Sequence, residues 1–172
     1  MLSKCEIRVG KIINVEEFPK ARKPAYKLKV MLGSDLVKQS SAQFPPAYPD
    51  RASLLNRIMV CLVNTLERNV AGFKSQVLCL GMDDSMSRAW LVDVENAGDE
   101  LIGGRVVLEG DNVDSGPVDP LEDLDAFLNL NIVKAENRDI LLDGKRLGVY
   151  DISGGFHRLV APEEAVTGTI LH

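Results

Sequence analysis

The stretch EIRVGKIINV, residues 6–15, decides the fold class of this chain. Its apolar side chains alternate with polar or small ones, which is the pattern of a half-buried β-strand. Lys11 and Ile12 break the alternation, as a bulge near Gly10 would. We therefore predict a bulged strand with one apolar face, whose side chains are Ile7, Val9, Ile13 and Val15.

A second alternating stretch, YKLKVML at residues 26–32, follows a basic loop between Pro19 and Pro24. Its apolar side chains face one way, and Lys27 and Lys29 face the other. A strand with such a basic face is either solvated or lies against an anion. The loop adds three further cations, which are Lys20, Arg22 and Lys23.

More short strands are predicted beyond these two. Residues 57–64 contain IMVCLV, a continuous apolar run that is typical of a buried central strand. Asp50 is placed to cap a short helical turn before that strand, and residues 70–74 are expected to form a connector. Many short strands, little helix and frequent turns predict a small barrel. The other strand candidates are residues 37–43, 76–80, 89–94 and 105–108.

A linker and a smaller C-terminal part follow the predicted barrel. Residues 110–120 are rich in Gly, Pro, Asp and Ser, so we expect them to separate a barrel domain, residues 1–110, from a subdomain, residues 117–172. Apolar spacing predicts a short helix over residues 121–128, and Asp-Gly at 143–144 predicts a tight hairpin turn. This small α+β subdomain is expected to pack on the barrel, because it is too short to be stable alone.

The composition excludes several classes of protein. The 172 residues are 45% hydrophobic and 26% charged, which is the balance of a globular chain rather than a disordered one. No window approaches roughly 18 consecutive apolar residues, and the N-terminus lacks a hydrophobic leader core, so neither a membrane span nor secretion by that route is expected. Three widely spaced cysteines indicate free thiols in a reducing compartment, and we expect a cytoplasmic protein.

Charge is divided unevenly along the chain. Residues 1–82 carry 13 Lys and Arg against six Asp and Glu, whereas residues 83–172 carry seven against 19. A basic half joined to an acidic half indicates a localised anionic partner, and the alternative is an uneven distribution without a partner. Cations on the strands and loops of a barrel can follow a phosphate backbone, or they can be scattered solubilising side chains. The nine in question are Lys11, Lys20, Arg22, Lys23, Lys27, Lys29, Lys38, Arg68 and Lys74.

The chain carries no recognisable enzyme motif. It has no nucleophile elbow, P-loop or dinucleotide fingerprint, and its carboxylates are not visibly paired with a base. Its two histidines, His157 and His172, do not cluster with cysteines as a zinc site requires. A calcium loop over residues 111–122 is rejected because its third position is Val113, which offers no side-chain oxygen. We therefore expect no catalytic residue, no metal and no cofactor.

Three segments together resemble a known family. They are EIRVGKIINVEEFPKARKPAYKLKVMLG at residues 6–33, KQSSAQF at 38–44 and VNTLERNVAGFKSQVLCLG at 63–81. In this order they are similar to the tRNA-binding domain of endothelial monocyte-activating polypeptide II, of small bacterial tRNA-binding proteins and of the ends of some aminoacyl-tRNA synthetases. The first 110 or so residues look most like the CsaA export-chaperone branch, through RVGKI, ARKPAYKLKV and SSAQ.

The resemblance implies an OB-fold, a five-stranded Greek-key barrel without catalytic residues. Asn64 matches a strand-terminal asparagine, Arg68 matches a basic loop position, and residues 75–78 match a serine-led motif. Leu78 departs from the methionine usual in the tRNA-binding members, a departure that the CsaA branch shares. For Asn64 and Ser75, capping of strand ends is the alternative role. The RNA-binding candidates are Lys20, Arg22, Lys23, Lys27, Lys29, Lys38, Asn64, Arg68, Lys74, Ser75 and Gln76.

The resemblance also implies a function and an oligomeric state. We expect a non-catalytic module that binds tRNA by shape and backbone, near the elbow or acceptor side, and assists an aminoacyl-tRNA synthetase. The alternatives are a CsaA-like polypeptide-binding chaperone and a scaffold subunit of a multi-synthetase complex. Residues 123–156 loosely resemble an extension that imitates the dimer partner in the monocyte-activating polypeptide group. A monomer is therefore expected, with a homodimer as the alternative.

Overall fold

A computed structural model describes residues 2–112, 116 and 118–172. The strands up to the end of the barrel are β1 (Ile7–Glu17), β2 (Tyr26–Met31), β3 (Val37–Ala42), β4 (Ile58–Leu62), β5 (Arg68–Val70), β6 (Phe73–Ser75) and β7 (Leu78–Cys79). The later elements are β8 (Gly81–Asp83), β9 (Ala89–Leu91), β10 (Asp93–Val94), β11 (Val107–Leu108), the helical turn α1 (Asp125–Leu128), β12 (Ile132–Lys134), β13 (Ile140–Leu142), β14 (Lys145–Tyr150) and β15 (Phe156–Val160). Short 3-10 helices span Leu2–Lys4, Arg51–Leu54 and Asp99–Leu101.

Five strands form a nearly closed antiparallel barrel. Their order in the sheet is β3-β2-β1-β4-β7. The two edges then meet, because the Gln76 amide donates to the carbonyl oxygen of Gln39 at 2.8 Å, and Ser40 Oγ donates to the carbonyl oxygen of Val77 at 2.8 Å. This closed order is that of an OB barrel, so the predicted all-β OB-fold is confirmed.

Strand β1 contributes side chains to two hydrophobic cores, one inside the barrel and a second on the outer face of the barrel. A bulge in the strand makes this possible. The register against β2 shifts between Ile12 and Asn14, so the bulge lies at Ile13 and not near Gly10 as predicted. Ile7 and Val9 face away from the barrel interior, whereas Ile12 and Val15 pack inside it. The prediction that Ile13 joins the buried face is wrong: it is 37% exposed, because the extra residue moves it to the other face.

Position 10 requires glycine because the side chain of Val30 packs closely against its backbone, and not because of a bulge. A Cβ at Gly10 would lie 2.6 Å from Val30 Cγ1 in the barrel interior.

The apolar run of strand β4 is continuous because both faces of the strand are buried. Met59 and Cys61 face the barrel interior while Val60 and Leu62 face the second core, so both faces are buried, as predicted for IMVCLV.

A small hairpin projects from the barrel between β4 and β7. Strands β5 and β6 pair from Arg68 with Ser75 to Val70 with Phe73, where a connector was predicted. Each strand has three residues, too few for alternation to be visible in the sequence. Ala71 and Gly72 form the turn with φ of 47° and 86°.

The second half of the chain forms a six-stranded sheet in the order β10-β15-β14-β13-β12, with β11 also paired to β14. The predicted Asp-Gly turn is confirmed, with φ of 53° at Asp143 and 77° at Gly144. The helix predicted over 121–128 is reduced to the one turn of α1. In the predicted linker, residues 113–115 and 117 lie outside the described residues, as does the rejected calcium position Val113.

The six-stranded sheet packs on the outer face of β1 and β4 through one shared hydrophobic core. From the barrel this core takes Ile7, Val9, Val60 and Leu62. From the chain after the linker it takes Leu121, Phe127, Leu130, Ile132, Ile140, Leu142, Leu147, Val149, Leu159 and Leu171. Strands β10 and β11, which precede the linker, also belong to this sheet. Within the described ranges, none of the helices has the length and apolar character that crossing a bilayer requires.

Candidate nucleic-acid interface

The loop between β1 and β2 meets the β5–β6 hairpin through two aromatic rings. The centroids of Phe18 and Phe73 are 5.6 Å apart, and the rings are inclined by 66°. The ammonium of Lys27, on β2, lies 4.9 Å from the Phe18 centroid and 5.3 Å from that of Phe73. This cation–π arrangement holds the loop, the hairpin and the outer face of β2 together.

Most of the predicted cations are carried by these three elements. Lys27 and Lys29 occupy the outer face of β2, where Ser41 and Gln39 of β3 stand opposite them. The hairpin places Arg68 and Lys74 on opposite faces, since cross-strand pairing sets Arg68 against Ser75 and Lys74 against Asn69. We call the following set of neighbouring side chains the cationic surface, although its two hairpin members point to opposite faces of the hairpin: Lys20, Arg22 and Lys23 of the loop, Lys27 and Lys29 of β2, and Arg68 and Lys74 of the hairpin.

The cationic surface carries unneutralised charge. Within the described part of the chain, none of its seven side chains forms an ion pair with a carboxylate within 4.0 Å. Two exposed carboxylates lie close in the chain or the sheet, Glu67 beside Arg68 and Glu16 opposite Lys27.

Carboxylates of the acidic half pair with cations outside this surface, and two of these pairs reach the basic half: Asp99 with Lys11 at 3.1 Å and Asp93 with Arg57 at 3.3 Å. Arg158 is bound by Glu95 at 2.9 Å and by Asp139 at 2.8 Å. Arg146 and Glu109 form another such pair at 2.5 Å. Glu95, Asp139 and Glu109 do not pair with the cationic surface, whose charge can attract an anion from solution.

Lys38 lies apart from the cationic surface. It stands opposite Val30 on the inward-facing parity of β3, whereas Lys29 stands opposite Gln39 on the outward parity. Its side chain lines a cavity of about 290 Å³ together with Asn64 and Val77. The sequence prediction of one shared surface therefore does not extend to Lys38.

The side chain of Asn64 forms hydrogen bonds with backbone groups inside the protein. It is 6% exposed, and its Nδ2 donates to the carbonyl oxygens of Lys4 at 2.8 Å and Asp119 at 3.0 Å. Its Oδ1 accepts from the Glu6 amide at 2.9 Å. Both amide hydrogens are thus donated internally, which is the structural alternative that the sequence left open.

Ser75 and Gln76 close the barrel. Ser75 is 2% exposed, and its Oγ accepts from the Ser41 amide at 3.0 Å. Gln76 Oε1 accepts from the Gln39 amide at 3.1 Å, and Gln39 Nε2 donates to the carbonyl oxygen of Lys74 at 2.8 Å. These contacts join β3 to the hairpin, so they position Lys74 rather than present Ser75 to a ligand.

The sequence analysis missed the aromatic pair. The low aromatic content of 5% argues only against an interface built mainly on aromatic stacking, and it does not reveal this pair. Phe18 and Phe73 are 55 positions apart, yet each stands next to a basic or proline residue at the end of a loop or turn, in FPK and GFK. That placement is the signal that could have identified them.

A family comparison decides what this arrangement belongs to. Residues 7–99, more than half of the chain, match the family described as "Putative tRNA binding domain". The chain belongs to the tRNA-binding domain family. The predicted resemblance is thereby confirmed, and the matched range includes the barrel, the cationic surface and the aromatic pair.

Curated relatives of this tRNA-binding domain are enzymes of much greater length. Methionine–tRNA ligase of Thermococcus onnurineus is 37% identical over 89 residues, and that of Pyrococcus abyssi is 38% identical over 90. Each match covers 52% of this chain, and the chain spans about 12% of the length of either relative.

Solved structures extend the likeness. The chaperone CsaA of Picrophilus torridus is 35% identical, with a TM-score of 0.53, over 60% of this chain and 92% of that one. The C-terminal domain of Plasmodium vivax p43 has a TM-score of 0.78 at 16% identity, and the match covers 100% of this chain and 99% of that one. The second likeness concerns the fold alone, and it includes the six-stranded sheet that follows the barrel.

Proposed function

We propose that this protein binds tRNA through the cationic surface, without catalysis, and assists an aminoacyl-tRNA synthetase. The observation that carries the proposal is the cationic surface itself: seven Lys and Arg without carboxylate partners among the described residues, on the elements that OB-folds use for oligonucleotides. These elements are the outer face of the second and third strands and the loops that flank them.

The physics of the surface favours binding through phosphates. Each Lys or Arg that neutralises a phosphate releases condensed counterions, which supplies affinity without reading the base sequence. Lys27 and Lys29 stand on a barrel strand, and Arg68 and Lys74 stand on a hairpin that Gln39 ties to β3, so the spacing of these four charges is set by the barrel. A fixed pattern of cations selects an RNA by its folded shape.

The shared core supports a division of the chain into two parts. We propose that residues 1–110 form the tRNA-binding OB domain and that residues 117–172 form a subdomain covering its outer face. The apolar side chains of Ile7, Val9, Val60 and Leu62 would otherwise face solvent. Such a cover buries the apolar face of β1 and β4 that a second copy could otherwise use, which supports a monomer over a homodimer.

Synthetase association and a cytoplasmic location rest on the relatives. The curated relatives are methionine–tRNA ligases, and this chain corresponds to about 12% of their length. A separate tRNA-binding chain can act beside such an enzyme by raising the local concentration of tRNA.

A gel-shift experiment with unfractionated tRNA tests the proposal. The double variant Lys20→Glu/Lys29→Glu changes two exposed cations of the surface and is expected to abolish the complex. The matched control, Lys4→Glu/Lys145→Glu, makes the same change of net charge at exposed positions elsewhere and should bind as the unmodified protein does. Equal loss in both double variants, or no complex with the unmodified protein, would contradict tRNA binding by this surface.

The similarity to CsaA of P. torridus supports a second candidate function, binding of an unfolded polypeptide. The same samples separate the two. If tRNA gives no shift but a reduced, unfolded protein is retained, the chaperone function holds. If neither binds and a synthetase co-purifies, the chain serves as a scaffold.

A further inference from the structure

A groove of about 360 Å³ lies between the β1–β2 loop and the β5–β6 hairpin. One side is formed by Phe18, Pro19 and Lys20, the other by Ala71, Gly72 and Phe73, with Lys27 also lining it. Its walls thus combine two aromatic rings with two ammonium groups.

We propose that this groove binds one unpaired nucleobase of the RNA, stacked on Phe73, while Lys20 contacts a flanking phosphate. The inference rests on the proposed function, because it places one nucleotide within the RNA that the cationic surface binds. It adds a contact to a base where the cationic surface alone would contact only the backbone.

The rings of Phe18 and Phe73 differ in how far they are exposed to a ligand in the groove. Phe18 is 5% exposed and acts as the support, edge to face against Phe73. Phe73 is half-buried on a three-residue strand at the hairpin end, so part of its ring remains open to the groove. A supported and partly open ring is the arrangement that single-stranded nucleic acids use for stacking.

The turn keeps the groove open. A Cβ at Gly72 would meet no atom within 4 Å, so the space beside the turn is free. The φ of 86° at Gly72 disfavours any residue with a side chain there, and neighbouring Ala71 is small. No bulky side chain of the turn therefore competes with a flat ligand for this space.

Charge decides which flat ligand fits. The ammonium of Lys27 lies within 5.3 Å of both ring centroids, and exposed Lys20 stands at the mouth of the groove. A nucleotide matches this pattern because it joins a planar base to a phosphate. An aromatic side chain of a peptide would supply the plane without the negative charge.

The test compares Phe73→Leu with Phe73→Trp in the full chain, using unfractionated tRNA. Leucine retains an apolar side chain but removes the ring, so the affinity is expected to fall about tenfold while the salt dependence stays unchanged, since stacking releases no counterions. Tryptophan retains a ring and is expected to bind at least as tightly as phenylalanine. The control is Phe156→Leu, which removes a partly exposed ring of the six-stranded sheet.

A second measurement needs no variant. A 15-nucleotide single-stranded RNA is expected to bind the unmodified protein at least fivefold more tightly than an abasic oligomer of the same length. Equal affinities for these two oligomers would overturn the inference, as would a Phe73→Leu protein that binds tRNA like the unmodified one. If the unmodified protein binds no tRNA at all, the proposed function itself has failed.

Discussion

Asn64, two residues after the end of β4, donates a side-chain amide hydrogen to the carbonyl oxygen of Asp119 at 3.0 Å. The backbone carbonyl of Asn64 also accepts from the Leu121 amide at 2.8 Å. The asparagine therefore fastens the chain that follows the linker to the end of a barrel strand. Its other amide hydrogen goes to Lys4, so three distant parts of the chain meet at one side chain.

Replacement of Asn64 by alanine is expected to lower stability without weakening RNA binding by the folded protein. Three part-buried hydrogen bonds to backbone groups are lost, and leaving such groups unsatisfied costs about 1–3 kcal/mol each before relaxation and solvent access reduce the total. Urea unfolding should show a loss of at least ~2 kcal/mol. Gel shifts at a temperature where the variant is folded should match the unmodified protein.

The control for this experiment is Asn129→Ala, which changes an exposed asparagine after α1. It should leave the free energy of unfolding within about 0.5 kcal/mol of the original value. If Asn64→Ala keeps full stability but loses tRNA, the asparagine contacts RNA and the structural role is refuted.

The sequence predicted the strands that are long enough to show a clear pattern of apolar and polar residues. Strand β2 has its lysines outward and its apolar residues inward as expected, and β4 is apolar throughout because both of its faces are buried. The face change within β1 was not predictable, because Ile12 and Ile13 are adjacent and equally apolar. Only pairing with β2 decides which of the two is the bulged residue.

The sequence identified the basic residues of the candidate site, but it did not reveal which polar residues contact a ligand and which serve the fold. The cations of the β1–β2 loop lie next to the hairpin because Phe18 meets Phe73, a contact between positions 55 apart that no local pattern reveals. Ser75 was singled out as a polar contact, yet its hydroxyl is enclosed by barrel closure against Ser41. Short polar residues satisfy buried backbone and bind ligands with the same atoms, so sequence alone leaves the two roles open.

Salt dependence provides a second prediction. If the cationic surface contacts phosphates, the affinity for tRNA should fall steeply between about 50 and 200 mM salt. Each of Lys29→Ala and Lys74→Ala removes one cation and should reduce the slope of log K against log salt by about 0.7–0.9. Lys145→Ala, on the distant β14, should leave the slope unchanged. A complex insensitive to salt would contradict binding through phosphates.

The pH dependence of stability provides a third prediction, centred on His157. Its Nε2 lies 2.7 Å from Asp151 Oδ2 and its Nδ1 lies 2.8 Å from the carbonyl oxygen of Glu95. Both neighbours are acceptors, so the geometry favours the doubly protonated ring. The bond to Asp151, followed by that to Glu95, raises the pKa of His157, and the bond to His157 lowers the pKa of Asp151.

The signs of these two shifts define a window. The raised pKa of His157 stabilises the fold below its ordinary value of 6.5, and this contribution is lost as the pH rises through the folded pKa. The lowered pKa of Asp151 stabilises the fold above its ordinary value of 3.8, and this contribution is lost as the pH falls through the folded pKa. Between these two limits both contributions are present.

Thermal unfolding of the unmodified protein and of His157→Gln should therefore differ most between about pH 4 and pH 6.5. The difference should shrink as the pH rises through the raised pKa of His157. In an Asp151→Asn background, His157→Gln should lose most of this pH dependence, because the partner charge is gone. A difference in Tm that is constant from pH 5 to pH 9 would show that the imidazolium–carboxylate bond does not contribute.

The shared core provides the last prediction, which concerns oligomeric state. The full chain should scatter light as a monomer of 18.9 kDa, because the six-stranded sheet covers Ile7, Val9, Val60 and Leu62. Phe127 belongs to the shared core and is 1% exposed, so Phe127→Ala should lower the free energy of unfolding by about 3–5 kcal/mol. Deletion of the chain from residue 121 onward should uncover the apolar face of β1 and β4 and produce dimers or aggregates. A full chain of about twice the monomer mass would show that the sheet does not replace a second copy.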